Sequence, residues 1–146
     1  MINSCISGGA GAAATSCTKA GFVVNTDNFD WGADNFGITF DFFLLSEAGG
    51  GGISGPSASW TNTFEINSAT SVDQLKGISS QTGFTINPVP RARSAVVEGG
   101  VIVGQDYTGL YFGGGAGAGS VFTTYSYITN TFDPLPDNSE TDGICP

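Results

Sequence analysis

The stretch VFTTYSYI, residues 121–128, decides the fold class of this chain. From Thr124 onward, small hydroxyl side chains alternate with tyrosines, the period of two that is typical of a β-strand with one buried face. Seven other segments are equally short, rich in β-branched or aromatic residues, and bounded by Gly, Asn, Asp or Pro. They are residues 22–24, 38–45, 64–66, 84–86, 94–97, 101–103 and 110–112.

A helical pattern occurs at residues 71–78. Ser71 is a suitable N-cap, and Val72, Leu75 and Ile78 recur at a spacing of three. The segment is long enough for about two turns. Since strand signals dominate the rest of the chain, this short helix is expected to connect strands.

Three glycine-rich runs lie at residues 7–14, 49–52 and 113–119. None is followed by the lysine or the helical pattern of a phosphate-binding loop. They are therefore predicted as loops in which backbones approach closely. Together these patterns predict an all-β fold, a β-sandwich or barrel-like meander with glycine-rich loops and extended termini.

The chain has 146 residues, which fits one domain. Residues 1–20 are expected to form a Gly/Ala/Ser-rich arm, residues 21–136 the β domain, and residues 137–146 an extended tail. The arm has no apolar core of a secretory signal, and no run is long enough for a membrane helix. We therefore expect synthesis in a cytoplasm and no membrane partner.

The charge balance argues against several classes of function. Lys and Arg number 4, Asp and Glu number 13, and there is no His, which gives a net charge of −9. Such a chain offers no basic surface for nucleic acid, and it lacks the commonest general base and metal ligand. We expect no cofactor and no catalysis. A carboxylate pair, such as Asp30 with Asp34 or Asp106 with Glu98, leaves a glycosidase as a distant third hypothesis.

The three cysteines lie near the ends of the chain, at Cys5, Cys17 and Cys145. They are either idle thiols or disulfide partners, bridging the two chain ends or joining Cys5 to Cys17. In the bridged cases the odd cysteine would pair between subunits. Arg91 and Arg93 are candidate anchors to a neighbouring subunit, since Arg is the preferred cation at interfaces.

Two further groups of residues suggest ligands. Asp27, Asp30 and Asp34 are interleaved with Asn and could supply oxygens to calcium, although their spacing fits no EF-hand. Asp and Asn also bond backbone amides in turns without any metal, so we expect no metal site. Trp31 and Trp60 are candidates for stacking on a sugar, the alternative being that they belong to the core or interfaces of a β-protein.

A short sequence is repeated within the chain. The segment TNTFE at residues 61–65 recurs as TNTFD at residues 129–133. Around the second copy, PRARSAVV, LYFGG, YSY and TNTFDPLP follow one another, and residues 88–136 resemble one Kelch repeat. This resemblance implies strands packed like a propeller blade, with Phe132 standing where the family has Trp. A closed propeller needs about four blades or more, which this chain is too short to supply.

In composition, the chain is similar to bacteriophage virion structural proteins. That similarity implies a protein of a capsid decoration, collar, tail or fibre, made in the host cytoplasm and located in the virion. Its partners would be copies of itself and other structural proteins. The alternative is a carbohydrate-binding or adhesive β-domain, extracellular or at a cell surface, with a glycan as its ligand.

Overall fold

The computed structural model describes residues 1–28, 37–88 and 94–134. The described chain is almost entirely β-strand, as the alternating sequence predicts. The strands are β1 Ile2–Asn28, β2 Gly37–Asn67, β3 Gly77–Ile86, β4 Ser94–Val103, β5 Thr108–Gly119 and β6 Phe122–Phe132. A 3₁₀ turn, Asp73–Leu75, lies between β2 and β3.

Five of the strands form a closed antiparallel barrel. β5, β4, β3 and β6 are neighbours in that order, and β2 closes the ring by pairing with both outer members. Residues 57–67 of β2 pair with β5, whereas residues 46–53 pair with β6. β1 pairs with the remaining edge of β2 over nearly its whole length. The predicted all-β, barrel-like fold is confirmed.

β1 and β2 form a long hairpin that is bent in two. In β1 the register shifts between Gly9 and Gly11, and Gly11 has a φ of 77°, a backbone conformation that favours glycine. In β2 the bend lies between Ile53 and Ser57, where the partner strand changes from β6 to β5. A bend in both strands at the same level lets the hairpin wrap around the barrel.

The bend in β1 brings its two halves together. Cys5 and Cys17 form a disulfide, with their Cα atoms 4.1 Å apart, which was one of the pairings left open by the sequence. Further along, Gly21 lies against Met1, where a Cβ atom on the glycine would come within 2.6 Å of the methionine Cβ. Residues 1–20, expected as an arm, form part of this folded strand. The expected tail, residues 137–146, lies outside the described residues.

The orientation of the side chains is the reverse of that in a typical soluble β-protein. β6 shows it most clearly: Thr123, Thr129 and Thr131 face the interior, together with two tyrosines, while Phe122 and Phe132 face outward. An ordinary half-buried strand places its apolar residues inside. Here many polar residues are enclosed, beside a buried cluster that includes Leu45 and Ile102, and many large apolar residues lie on the outside.

A buried apolar cluster also lies in the interior. Leu75, in the turn before β3, is only 2% exposed and belongs to the same cluster as Val23 and Tyr107. The helix expected at residues 71–78 is wrong beyond this single 3₁₀ turn. Gly77 adopts a φ of 92° and ends the turn, and Ile78 is an exposed residue of β3.

The glycine runs lie in strands, so their prediction as loops is wrong. Residues 49–52 belong to β2 and residues 113–119 belong to β5. The physical reason is the close approach of neighbouring strands: a Cβ atom at Gly51 would overlap the carbonyl oxygen of Ser126. Glycine is needed there because the coiled strands leave no room for a side chain.

Candidate functional site: a polar interior and an apolar exterior

The interior of the barrel contains a buried ion pair between the bent strands. Lys19 of β1 places its Nζ atom 2.5 Å from Oε2 of Glu47 and 3.8 Å from Oε2 of Glu65, both in β2. All three side chains are almost completely buried. We call these three residues the interior ion pair.

Neutral donors satisfy the remaining carboxylate oxygens of the interior ion pair. Gln81 and Thr131 donate hydrogen bonds to Glu47, the latter at 2.9 Å. Asn3 and Asn67 donate to Glu65 at 2.8 and 2.9 Å. A buried ion pair is tolerated only when its hydrogen bonds are made in this way, because both charges have lost their water.

Electrostatics keep the buried lysine charged. Burial alone would lower the pKa of Lys19, but the carboxylates of Glu47 and Glu65 outweigh burial and raise that pKa above its ordinary value. The ammonium group therefore holds the two halves of β2 together through their carboxylates. Lys19 therefore links Glu47 and Glu65, which lie on opposite sides of the bend in β2.

A second polar group, which we call the tyrosine cluster, consists of Glu98, Tyr111 and Tyr125. Tyr125 donates its hydroxyl proton to Oε1 of Glu98, and the hydroxyl oxygens of Tyr111 and Tyr125 are 2.6 Å apart. Burial raises the pKa of both tyrosines, and the neighbouring Glu98 carboxylate raises it further. The phenols are therefore neutral hydrogen-bond donors at physiological pH.

A small enclosed cavity lies between the interior ion pair and the tyrosine cluster. Its volume is about 10 Å³, and its lining includes Asn3, Thr63, Gln81, Glu98 and Tyr127. We call it the central cavity. Two of its lining residues have buried oxygen atoms that lack any partner in the described chain, Oδ1 of Asn3 and Oε2 of Glu98. A volume of this size holds about one water-sized particle.

The exterior is apolar to a degree that is unusual for a protein surface. Among the strand residues whose side chains are described, Asp41 is the exposed charged residue. Large apolar side chains are exposed on every strand. They include Ile6, Phe22, Phe42, Leu44, Trp60, Phe64, Ile66, Ile78, Phe84, Val97, Val101, Val103, Leu110, Phe112, Phe122, Ile128 and Phe132.

The apolar residues are most continuous across three neighbouring strands. Ile66 of β2, Leu110 of β5 and Val101 of β4 are paired in one row, and the rings of Phe64 and Phe112 meet at 6.1 Å in the next row. We call these five residues the β4–β5 patch. Monomeric proteins rarely expose contiguous apolar patches beyond a few hundred Å².

Several residues singled out by the sequence can now be placed. Trp60 is 58% exposed on the outside of β2, and its Nε1 donates to Ser4 Oγ at 3.1 Å. Glu98 faces the interior, whereas Asp106 is exposed in the turn between β4 and β5. Asp27 lies near the end of β1. The candidates that lie outside the described residues are Asp30, Trp31, Asp34, Arg91, Arg93 and Cys145.

The interior ion pair was not anticipated from the sequence, although a signal for it exists. Lys19, Glu47 and Glu65 are isolated charges within segments that otherwise contain only small polar and apolar residues. Glu65 directly follows the repeated TNTF segment, whose threonines are buried in both copies. Successive side chains of a strand point to opposite faces, so a single charge between apolar neighbours would place that charge on one face and the apolar residues on the other. This pattern could have identified the face that carries the charges.

No family model, curated protein or solved structure matches this chain. The described ranges contain no helix that is long and apolar enough to cross a membrane. In the same ranges, no three His, Cys, Asp or Glu side chains are grouped so that they could hold a metal ion. What the protein does must therefore be argued from its interior and its surface.

Proposed function

We propose that this protein is a structural assembly protein whose outward strand faces pack against copies of itself and against other structural proteins. The observation that carries this proposal is the exterior: large apolar side chains lie on every strand, while Lys19, Glu47, Glu65 and Glu98 are buried and Asp41 is the exposed charge among the strand side chains described. Removing such surface from water is the main driving force of protein association. The buried polar network supports the shape of each subunit while the outer surface makes the contacts.

The outer surface suits a protein neighbour better than the acyl chains of lipids. Polar residues also lie on the outer face: Thr82 of β3 and Ser126 of β6 are paired and exposed, and Asn62 of β2 and Asn130 of β6 are exposed as well. Hydroxyl and amide groups need hydrogen-bond partners once they are buried. A protein interface supplies such partners, and acyl chains do not.

The charge distribution is also consistent with close packing of identical subunits. The net charge of −9 would make copies repel one another if charged faces met. The β4–β5 patch carries no charged side chain, so two copies can approach there without placing like charges opposite each other. Arg is uncommon in this chain, and Arg91 and Arg93 remain predicted anchors for an acidic neighbour.

Within this proposal, the composition of the chain favours a virion component, located in a particle assembled in a host cytoplasm. As a capsid decoration, collar, tail or fibre component, this protein would act by packing against its neighbours. The Kelch-like resemblance of residues 88–136 remains a prediction. A carbohydrate-binding or adhesive role is the second candidate, supported by the exposed indole of Trp60.

Sedimentation velocity of purified protein tests the proposal. We expect wild-type protein to form higher oligomers, and Leu110→Lys, at the centre of the β4–β5 patch, to shift the distribution toward monomer. Gln105→Lys adds the same charge in the exposed turn next to β4 and serves as the control. A wild-type protein that stays monomeric at all soluble concentrations would overturn the proposal. So would flotation of the protein with phospholipid vesicles, because lipid would then be what covers the apolar surface.

A further inference from the structure

The assembly proposal makes no use of the central cavity. We propose that this cavity is a binding site for one structural water molecule, which donates hydrogen bonds to Oδ1 of Asn3 and Oε2 of Glu98. The bound water joins the interior ion pair to the tyrosine cluster. The site lies inside a single subunit and does not depend on assembly.

Two buried oxygen atoms in the cavity wall are acceptors without a donor. The side-chain amide of Asn3 donates through Nδ2 to Glu65 at 2.8 Å, which leaves its Oδ1 as a free acceptor. Glu98 accepts from Tyr125 through Oε1, which leaves Oε2 free. Asn3 is 3% exposed and Glu98 is 8% exposed, and neither free oxygen has a partner in the described chain. Leaving buried acceptors unsatisfied destabilises the folded state, so both atoms require a donor.

Water has the hydrogen-bonding groups that these acceptors require. An amide oxygen and a carboxylate oxygen cannot satisfy each other, so a ligand that serves both has to supply two donors. A water molecule has two, whereas a hard metal cation such as calcium needs a larger set of oxygen ligands. The hydroxyl groups of Thr15 and Thr63 also line the cavity and can donate to the water oxygen. Together these groups give the water the two to four polar partners that are typical of buried water.

The size of the cavity limits its contents to one molecule. Its volume of about 10 Å³ is close to the minimum that holds a single water, and an organic ligand is too large for it. The Cys5–Cys17 disulfide also lines the cavity and fixes the strand that carries Asn3. The cavity is therefore a small enclosed site with polar groups in its wall.

The bound water completes a chain of hydrogen bonds through the interior. On one side, Asn3 is bonded to Glu65 of the interior ion pair. On the other side, Glu98 is bonded to Tyr125 of the tyrosine cluster. A water that bridges two polar groups is nearly as favourable as a direct hydrogen bond. The water therefore connects side chains of β1 and β2 with side chains of β4 and β6.

Oxygen-17 magnetic relaxation dispersion tests the site in solution, because it counts the water molecules that stay bound for longer than the protein takes to tumble. Thr63 pairs with Asn3 across β1 and β2, and Thr63→Ile places a larger, apolar side chain in the cavity wall. We expect this variant to lose one long-lived water. Thr124→Ile, the same substitution on the exposed face of β6, should keep the wild-type number. Equal numbers in wild type and Thr63→Ile would overturn the proposal.

A crystal structure of the wild-type chain, at a resolution that shows ordered water, gives an answer independent of any variant. We expect one density peak in the central cavity, within hydrogen-bond distance of both Asn3 Oδ1 and Glu98 Oε2. A cavity without density would refute the water site. So would an anomalous signal at that peak in crystals grown with rubidium chloride, because the cavity would then hold a cation.

Discussion

Lys19 of β1 and Glu47 of β2 are joined by a 2.5 Å ion pair inside the barrel, where both side chains are almost fully enclosed. This pair is one example of charged side chains that face the interior of the barrel, while many large apolar side chains face outward. The side chains that would normally face water hold the strands together from within. Large apolar side chains lie on the outside.

The interior ion pair predicts a large effect of removing its positive charge. Lys19→Met should destabilise the protein by about 3–5 kcal/mol, because Glu47 and Glu65 would remain buried without a positive partner. The double variant Lys19→Met/Glu47→Gln should recover part of that loss. Chemical denaturation followed by circular dichroism measures both. A single variant as stable as wild type would show that the ammonium group is not needed.

The tyrosines predict a loss of stability in alkali. All four tyrosines of the chain and Lys19 have pKa values raised above their ordinary ones, the tyrosines chiefly through burial. Above about pH 10 the folded state therefore retains protons that the unfolded state releases. Stability should be constant below that pH with respect to these groups, and should fall as the pH rises above it.

The ultraviolet absorbance of tyrosinate checks this alkaline behaviour. We expect no tyrosinate signal from the folded protein until it unfolds, after which all tyrosines should ionise together with the loss of β-structure seen by circular dichroism. Ionisation of one or more tyrosines well before unfolding would contradict their enclosed position. The unfolded protein in denaturant provides the reference titration.

The disulfide predicts that reduction loosens the fold of β1. Breaking the Cys5–Cys17 bond releases a loop with a sequence separation of 12 residues, which should cost about 3 kcal/mol of stability. Unfolding midpoints with and without reductant measure the loss. The double variant Cys5→Ser/Cys17→Ser should match the reduced wild type and should not respond to reductant. An unchanged midpoint on reduction of the wild type would argue against this role.

Two adjacent glycines provide a matched test of the strand packing. A Cβ atom at Gly51 would overlap the backbone of Ser126, whereas one at Gly52 meets nothing within 4 Å. Gly51→Ala should therefore cost about 1–3 kcal/mol through overpacking. Gly52→Ala should be neutral or stabilising by about 0.4–1 kcal/mol, since it restricts the unfolded chain. Equal effects of the two substitutions on the unfolding midpoint would contradict the register between β2 and β6.

The sequence allows the strands to be predicted but does not reveal how they close. Alternation in segments such as residues 124–127 is a local property, and it identifies each strand wherever the strand pairs. Closure depends on β2 pairing with β6 before its bend and with β5 after it. The choice of partner strand depends on contacts between residues far apart in the sequence, and the residue pattern within one strand does not indicate which strand it will pair with.

The alternation of polar and apolar residues along a strand also does not indicate which of its two faces is enclosed. The usual rule would place Phe122 and Ile128 inside and Thr123 and Thr129 outside, and the structure has the reverse. Inside the barrel, paired charges, hydrogen bonds and a buried apolar cluster stabilise this arrangement. The glycine runs lie in strands for a related reason, because the need for small residues arises only once the strands are closely packed.

Electron cryo-microscopy of the purified material shows what lies against the outside of each subunit. If the outer strand faces are assembly surfaces, we expect density of another protein subunit packed on Leu110, Val101 and Phe112 of the β4–β5 patch. Isolated subunits with that patch facing solvent, or a patch covered only by lipid or detergent, would contradict it.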